Sequence, residues 1–157
     1  MTADPITDTD AAYLRKSLDL AVQAGELGNR PFGAVVVGAS GDELAEGLNR
    51  VASSGSVIAH AEIDAIEKIA SPDQVVGATV YASGEPCPMC SAALVWAGVG
   101  RIVFAAAERD FSPLLPDGPR FDLSCRKVVA ASGQDITIDG PALGAEALAP
   151  FRAQSSP

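Results

Sequence analysis

Three short apolar runs, each cut off by glycine or proline and separated by segments of helical period, constrain this chain more than any other feature. They are Gly33-Ala34-Val35-Val36-Val37-Gly38, Ala78-Thr79-Val80-Tyr81-Ala82 and Arg101 to Ala105. Runs of this length, rich in β-branched residues, suit buried strands rather than helices. From about Thr9 to Leu27, residues Tyr13, Leu14, Leu18, Ala21, Val22 and Ala24 fall at three- and four-residue steps, which predicts an amphipathic helix capped by Asp8 or Thr9. Ser40-Gly41-Asp42 is a turn signal, so the first run and a second strand over Leu44 to Leu48 form a hairpin. A Ser/Gly-rich loop, Ala52 to Ser56, leads to a second helix over His60 to Ala70, stopped by Pro72, and Pro88 to Ala97 forms a third, ended by Gly98 and Gly100. Strand, helix and strand at these lengths imply parallel pairing with helices on both faces, an α/β fold of three-layer α/β/α architecture.

Beyond Phe111 the pattern weakens. Pro113, Pro116 and Pro119 make an irregular stretch, followed by an expected helix over Asp122 to Ala131, a strand over Asp135 to Ile138, a terminal helix over Pro141 to Arg152 and a frayed tail from Ala153 to Pro157. A length of 157 residues fits one domain over residues 1–157, with its core at about 9–139.

Composition narrows the partners. No apolar run approaches the roughly 18 to 20 residues needed to cross a bilayer, so no membrane span is expected. Met1-Thr2-Ala3-Asp4-Pro5 is acidic and lacks the features of a secretory signal, which points to the cytoplasm. The net charge is −9, and the eleven Lys and Arg residues are scattered, which disfavours a broad nucleic-acid surface. Three cysteines without an export signal do not suggest a disulfide framework, and two of them sit as Cys87-Pro88-Met89-Cys90.

His60-Ala61-Glu62 opens one expected helix and Pro86-Cys87-Pro88-Met89-Cys90 opens another, so two helix starts can converge. The positive end of a helix and a bound cation both favour thiolate over thiol, the form in which cysteine ligates zinc. Pro88 suits a first helical turn, and the two-residue spacer lets both sulfurs reach one ion. A redox Cys-x-x-Cys pair needs neither Pro86 nor the upstream His-Ala-Glu. A closed four-ligand zinc site would need Cys125, but the neighbours of that cysteine lack ligand spacing and its apolar helical context suits a core residue. His60, Cys87 and Cys90 therefore hold one Zn2+ and leave a place for a polarised water. Glu62, two residues from the histidine, can take a proton from that water and return it to a departing amine. Zinc with two thiolates is neutral, so Glu62 should be protonated once hydroxide forms.

At these residues the chain resembles the cytidine deaminase superfamily of zinc-dependent nucleobase and nucleoside deaminases, which carries the same His-x-Glu and Pro-Cys-x-x-Cys signature. The likeness extends to Pro31-Phe32-Gly33-Ala34-Val35-Val36-Val37, to Gly47-Leu48-Asn49-Arg50 and to Glu85 through Ile102, so that Leu14 to Ala107 resembles the family's core. It is similar above all to the branch with guanine, cytosine and tRNA adenosine deaminases. The resemblance implies a five-stranded mixed sheet, a homodimer with active sites near its interface, and attack of water on a ring carbon bearing an exocyclic amine. It also implies that Asn49 hydrogen-bonds the base, that the Ala61 N–H meets a ring carbonyl and that Phe32 lines the pocket. Glu85 is either a surface carboxylate or orients the substrate amine through its backbone. Asp110 and Phe111 follow the last core strand where the family varies its substrate contacts, and Trp96 belongs to the core or to a dimer interface. The expected activity is deamination of a small free base or nucleoside with release of ammonia. The alternatives are a tRNA adenosine deaminase, disfavoured by the acidic charge, and a silent member that keeps zinc only for its fold. Guanine is the weaker choice among bases, because no Tyr follows Tyr81 and the stretch Ser112 to Pro119 has no counterpart in the bacterial guanine deaminase pattern.

Overall fold

The computed structural model describes residues 6–116 and 118–155, so the acidic start Met1 to Pro5 and the end of the expected tail, Ser156-Pro157, lie outside the described residues. The first helix, α1 (Asp8–Glu26), begins one residue early. Its cap is Thr7 rather than Asp8 or Thr9, because the Thr7 hydroxyl accepts the Asp10 N–H at 3.0 Å while the Asp10 carboxylate accepts the Thr7 N–H at 2.9 Å. This reciprocal pair satisfies two amides that a helix start leaves without intrahelical partners.

Five strands follow, β1 (Gly33–Val37), β2 (Glu43–Leu48), β3 (Thr79–Gly84), β4 (Arg101–Ala106) and β5 (Thr137–Asp139), in the spatial order β2-β1-β3-β4-β5. The hairpin makes β1 antiparallel to β2, and β1 is also antiparallel to β3, whereas β3, β4 and β5 are parallel. The sheet is therefore mixed, and parallel pairing is confined to the half built by helical crossovers.

Alternation along each strand sorts the core into two layers. Ala34, Val36, Val80, Ala82, Ile102 and Phe104 face one side and pack against α3 (Ala61–Glu67), α4 (Pro88–Ala97) and α6 (Cys125–Ser132). Val35, Val37, Tyr81, Val103 and Ala105 face the other, against α1 and Phe151 of α7 (Ala149–Ser155). The three-layer α/β/α architecture is complete.

Departures from expectation are local. The Ala52 to Ser56 loop contains a helical turn, α2 (Val51–Ser54), closed by Gly55 at φ 76°. The helix expected from Asp122 starts only at Cys125, because the Ser124 hydroxyl accepts the Lys127 N–H at 3.2 Å and caps it there. No helix runs from Pro141, since Leu143 and Gly144 adopt φ of 66° and 52°. After a 3-10 turn over Gly144–Leu148, α7 continues to Ser155, so Ala153 to Ser155 are helical rather than frayed. Phe151, wholly buried, ties that helix to the sheet.

Candidate active site

Two helix starts meet beyond the carboxyl end of β3, where open α/β sheets bind ligands. The first is held by close approach. A Cβ on Gly47 of β2 would lie 2.2 Å from the Ala61 carbonyl oxygen and 2.5 Å from the Ala65 nitrogen, so only glycine lets the strand pass so near α3. Buried Asp64 then fastens α3 to the end of β2: it accepts the Leu48 N–H at 3.1 Å and pairs with Arg50 at 2.8 Å and Lys68 at 3.0 Å. His60 stands at the cap position of α3 without capping it through its side chain, which leaves the imidazole available.

Cys87 caps α4, its Sγ accepting the Cys90 N–H at 3.5 Å, and Pro88 occupies the first turn as expected. Ser91 braces this turn by donating to the Pro86 carbonyl at 3.1 Å. The His60 Nδ1 lies 3.5 Å from Cys87 Sγ and 3.6 Å from Cys90 Sγ. Tetrahedral zinc, with Zn–S of about 2.3 Å and Zn–N of about 2.0 Å, separates nitrogen from sulfur by about 3.5 Å. The donor set has the softness and the spacing zinc requires, and the three residues are positioned to hold a metal ion. Cys125 is not among these donors; it is buried in the core.

Electrostatics agree. The hydrogen bond from Cys90, then those from the histidine and from the Cys90 backbone, bring the Cys87 thiol down to about 4, against the cost of burial. That thiolate pushes the Cys90 thiol up and raises His60. Burial, reinforced by the Cys87 thiolate, raises the Glu62 carboxyl above the usual carboxylate range. Cys87 thus stands ready as a thiolate, the form in which cysteine binds a divalent cation.

His60, Glu62 and Cys87 open onto a cavity of about 740 Å³, in which the structure also places Asn49, Phe32 and Glu85. Asn49 is buried, and its Oδ1 accepts the Val51 N–H at 3.1 Å. The residue lines the cavity. Ala61 is buried at the first position of α3, where a backbone N–H has no intrahelical acceptor. Phe32 is both wall and core, packed edge-on against Phe111 and Phe151 with ring centroids 5.3 Å away in each case. Phe111 also lines the cavity.

Two placements differ from expectation. Asp110 is exposed and faces a separate depression of about 240 Å³ beside Pro141 and Ala147. Successive residues of the short helix α5 (Glu108–Phe111) point apart, so Phe111 turns inward and Asp110 outward. Trp96 is 90% exposed and so is no part of the described core. Arg30, Arg120, Phe121 and Leu123 line the cavity without having been expected there. They come from loops with no periodicity or motif spacing, and no sequence signal distinguishes them.

A donor triad on two converging helix starts, with a buried carboxylate beside it and an α/β/α sandwich behind it, defines a zinc-dependent hydrolytic deaminase. Residues 7–106 match the cytidine and deoxycytidylate deaminase zinc-binding region, and the chain belongs to that family. Over 156 residues it is 30% identical to a probable cytosine deaminase of Schizosaccharomyces pombe, covering 97% of this chain and 96% of that one. A guanine deaminase from Nitrosomonas europaea superimposes with a TM-score of 0.79 at 28% identity, over 99% of this chain and 86% of that one. A tRNA-specific adenosine deaminase of Bacillus subtilis is 38% identical over 102 residues, 63% of each chain.

Proposed function

We propose that the chain deaminates a small free nucleobase or nucleoside with a cytosine- or guanine-like ring, replacing the exocyclic amine by oxygen from water and releasing ammonia. The observation that carries this is the His60, Cys87 and Cys90 triad, of which His60 and Cys87 line the same cavity as the buried Glu62. His60, Cys87 and Cys90 would hold zinc, which when bound supplies Lewis-acid activation of water. Glu62 takes one proton from the attacking water and gives it to the ring nitrogen, then takes the second from the new hydroxyl and gives it to the departing amine, so that the oxygen stays as a ring carbonyl and ammonia leaves. A carboxyl raised by burial is suited to both halves of that transfer, because its pKa lies nearer the working pH. The Asn49 Nδ2 donates to an oxygen or nitrogen acceptor of the ring, the Ala61 N–H to a ring carbonyl, and Phe32 excludes water from one face.

Free bases are favoured over tRNA on two grounds. The likeness to the cytosine and guanine enzymes runs through the C-terminal segment that walls the cavity, while the likeness to the tRNA enzyme covers 63% of the chain. A net charge of −9 also supplies few phosphate contacts. A panel of free bases and nucleosides, read by ammonia release with zinc measured in the same sample, tests the reading. Release from a base or nucleoside supports it. Release only from tRNA, with salt-sensitive binding, would replace it by RNA editing, and no release from any substrate by a silent zinc protein. We also propose a cytoplasmic homodimer; light scattering at the monomer mass would reject the dimer. Among the described residues no helix is long and apolar enough to cross a membrane.

A further inference from the structure

We infer that Glu85 is a positioning residue that couples the metal-holding turn to the outer wall of the cavity; its kinetic test rests on the deaminase reading above. Glu85 directly precedes Pro86-Cys87, and its own N–H donates to the Ala106 carbonyl at 2.7 Å, at the end of β4. Its two carboxylate oxygens diverge. Oε1 accepts the Glu108 N–H at 3.3 Å, and Oε2 accepts the Cys125 N–H at 3.1 Å. These amides stand at the two ends of the segment that carries Phe111, Ser112, Leu115, Phe121 and Leu123 into the cavity. Between them lie only α5 and a 3-10 turn over Ser112–Leu114, and from residue 116 to 124 no described backbone N–H donates to a backbone carbonyl. With so few internal backbone hydrogen bonds, the segment takes its position from its ends, from Phe111 packed against Phe32 and Phe151, and from the bond of Arg120 to the Ser112 hydroxyl.

One side chain, adjoining a metal donor, thus holds both ends of the wall. Hydrogen bonds from amides to a carboxylate are stronger than those to a neutral acceptor, and only a group with two acceptor oxygens serves both N–H groups at once. Gln at this position would keep one acceptor and turn an NH2 donor toward the other amide, holding one end and repelling the second. The consequence is a division of labour: the triad and Glu62 set the rate of the chemistry, while Glu85 sets how well the wall meets the base.

Glu85→Ala and Glu85→Gln, compared with wild type as the zinc-loaded enzyme, test this. We expect KM for the best base to rise about tenfold in Glu85→Ala, which loses both hydrogen bonds and frees both ends of the wall, with kcat within about twofold and zinc content unchanged. Glu85→Gln should fall between Glu85→Ala and wild type. Amide hydrogen exchange should quicken from 107 to 125 and stay as in wild type over 61–67 and 88–97. Loss of zinc with collapse of kcat would overturn the inference, because Glu85 would then serve the metal turn alone; unchanged KM and unchanged exchange would overturn it as well. If wild type deaminates no base, the functional reading fails, and the exchange measurement still decides whether Glu85 clamps the wall.

Discussion

Two buried polar clusters occupy opposite ends of β4, and they are built on opposite principles. At its start, Arg101 donates to Asp10 at 2.8 and 3.0 Å and to Asp139 at 2.8 Å, and the Tyr81 hydroxyl donates to Asp10 at 2.7 Å. One guanidinium serves two carboxylates and a hydroxyl serves one of them, so donors and acceptors are balanced within the cluster. Beyond its other end, Cys87, Cys90, His60 and Glu62 bring sulfur, imidazole and carboxylate together with an excess of acceptors. The first arrangement fastens α1 to the sheet; the second is complete only with a cation. Buried polar groups that satisfy one another mark architecture, and those that share the same unmet need mark chemistry.

Removing a donor from the unbalanced cluster should have the largest effect. Cys90→Ala is expected to lose zinc and to drop ammonia release to background, measured by elemental analysis and a coupled assay on the same preparation. Glu62→Gln should lower kcat by about 10²- to 10⁴-fold, the usual contribution of a positioned acid-base group, while zinc content stays at the wild-type value. A variant that lost its zinc as well would erase the distinction between ligand and proton carrier.

The balanced cluster should respond in stability instead. Arg101→Ala leaves two buried carboxylates without a counter-charge and should cost about 3–5 kcal/mol in urea unfolding, with kcat of the folded fraction unchanged. Acid sharpens the contrast. Burial opposes ionisation of Asp10, but Arg101, the Thr7 N–H and the Tyr81 hydroxyl outweigh it and hold the carboxyl far below its usual value. A carboxyl whose folded pKa is depressed stabilises the fold fully above its unfolded pKa, about 4, and progressively less as pH falls below that. Asp10→Asn should therefore flatten the acid limb of stability against pH, and an unaltered limb would show that other carboxylates control it. The smallest effect is Asn49→Ala, expected to raise KM about tenfold with little change in kcat, as one directed hydrogen bond to the ring would require.

Much of this was legible in the chain, for identifiable reasons. Alternation along Val35-Val36-Val37 and across β3 and β4 encodes which face each residue takes, because a strand has period two. His60, Cys87 and Cys90 announce themselves because metal ligands need fixed spacing within short motifs, and Glu62 because it lies two residues from the histidine. Contacts between distant segments left no such trace. The bonds from Glu85 to the Glu108 and Cys125 amides and the inward turn of Phe111 but not Asp110 depend on how the segment after β4 folds back, and the ion pair of Arg101 with Asp10 depends on how α1 packs on the sheet. The start of α7 was hidden similarly, since the left-handed backbone at Leu143 follows from no preference of leucine.

The exposure of Trp96 has a practical consequence, since it is the chain's single tryptophan. An indole already in water changes little when the chain unfolds, so intrinsic fluorescence should be nearly blind to denaturation. The same indole would shift to shorter wavelength as soon as anything covered the end of α4, which turns this residue into a built-in optical reporter of assembly.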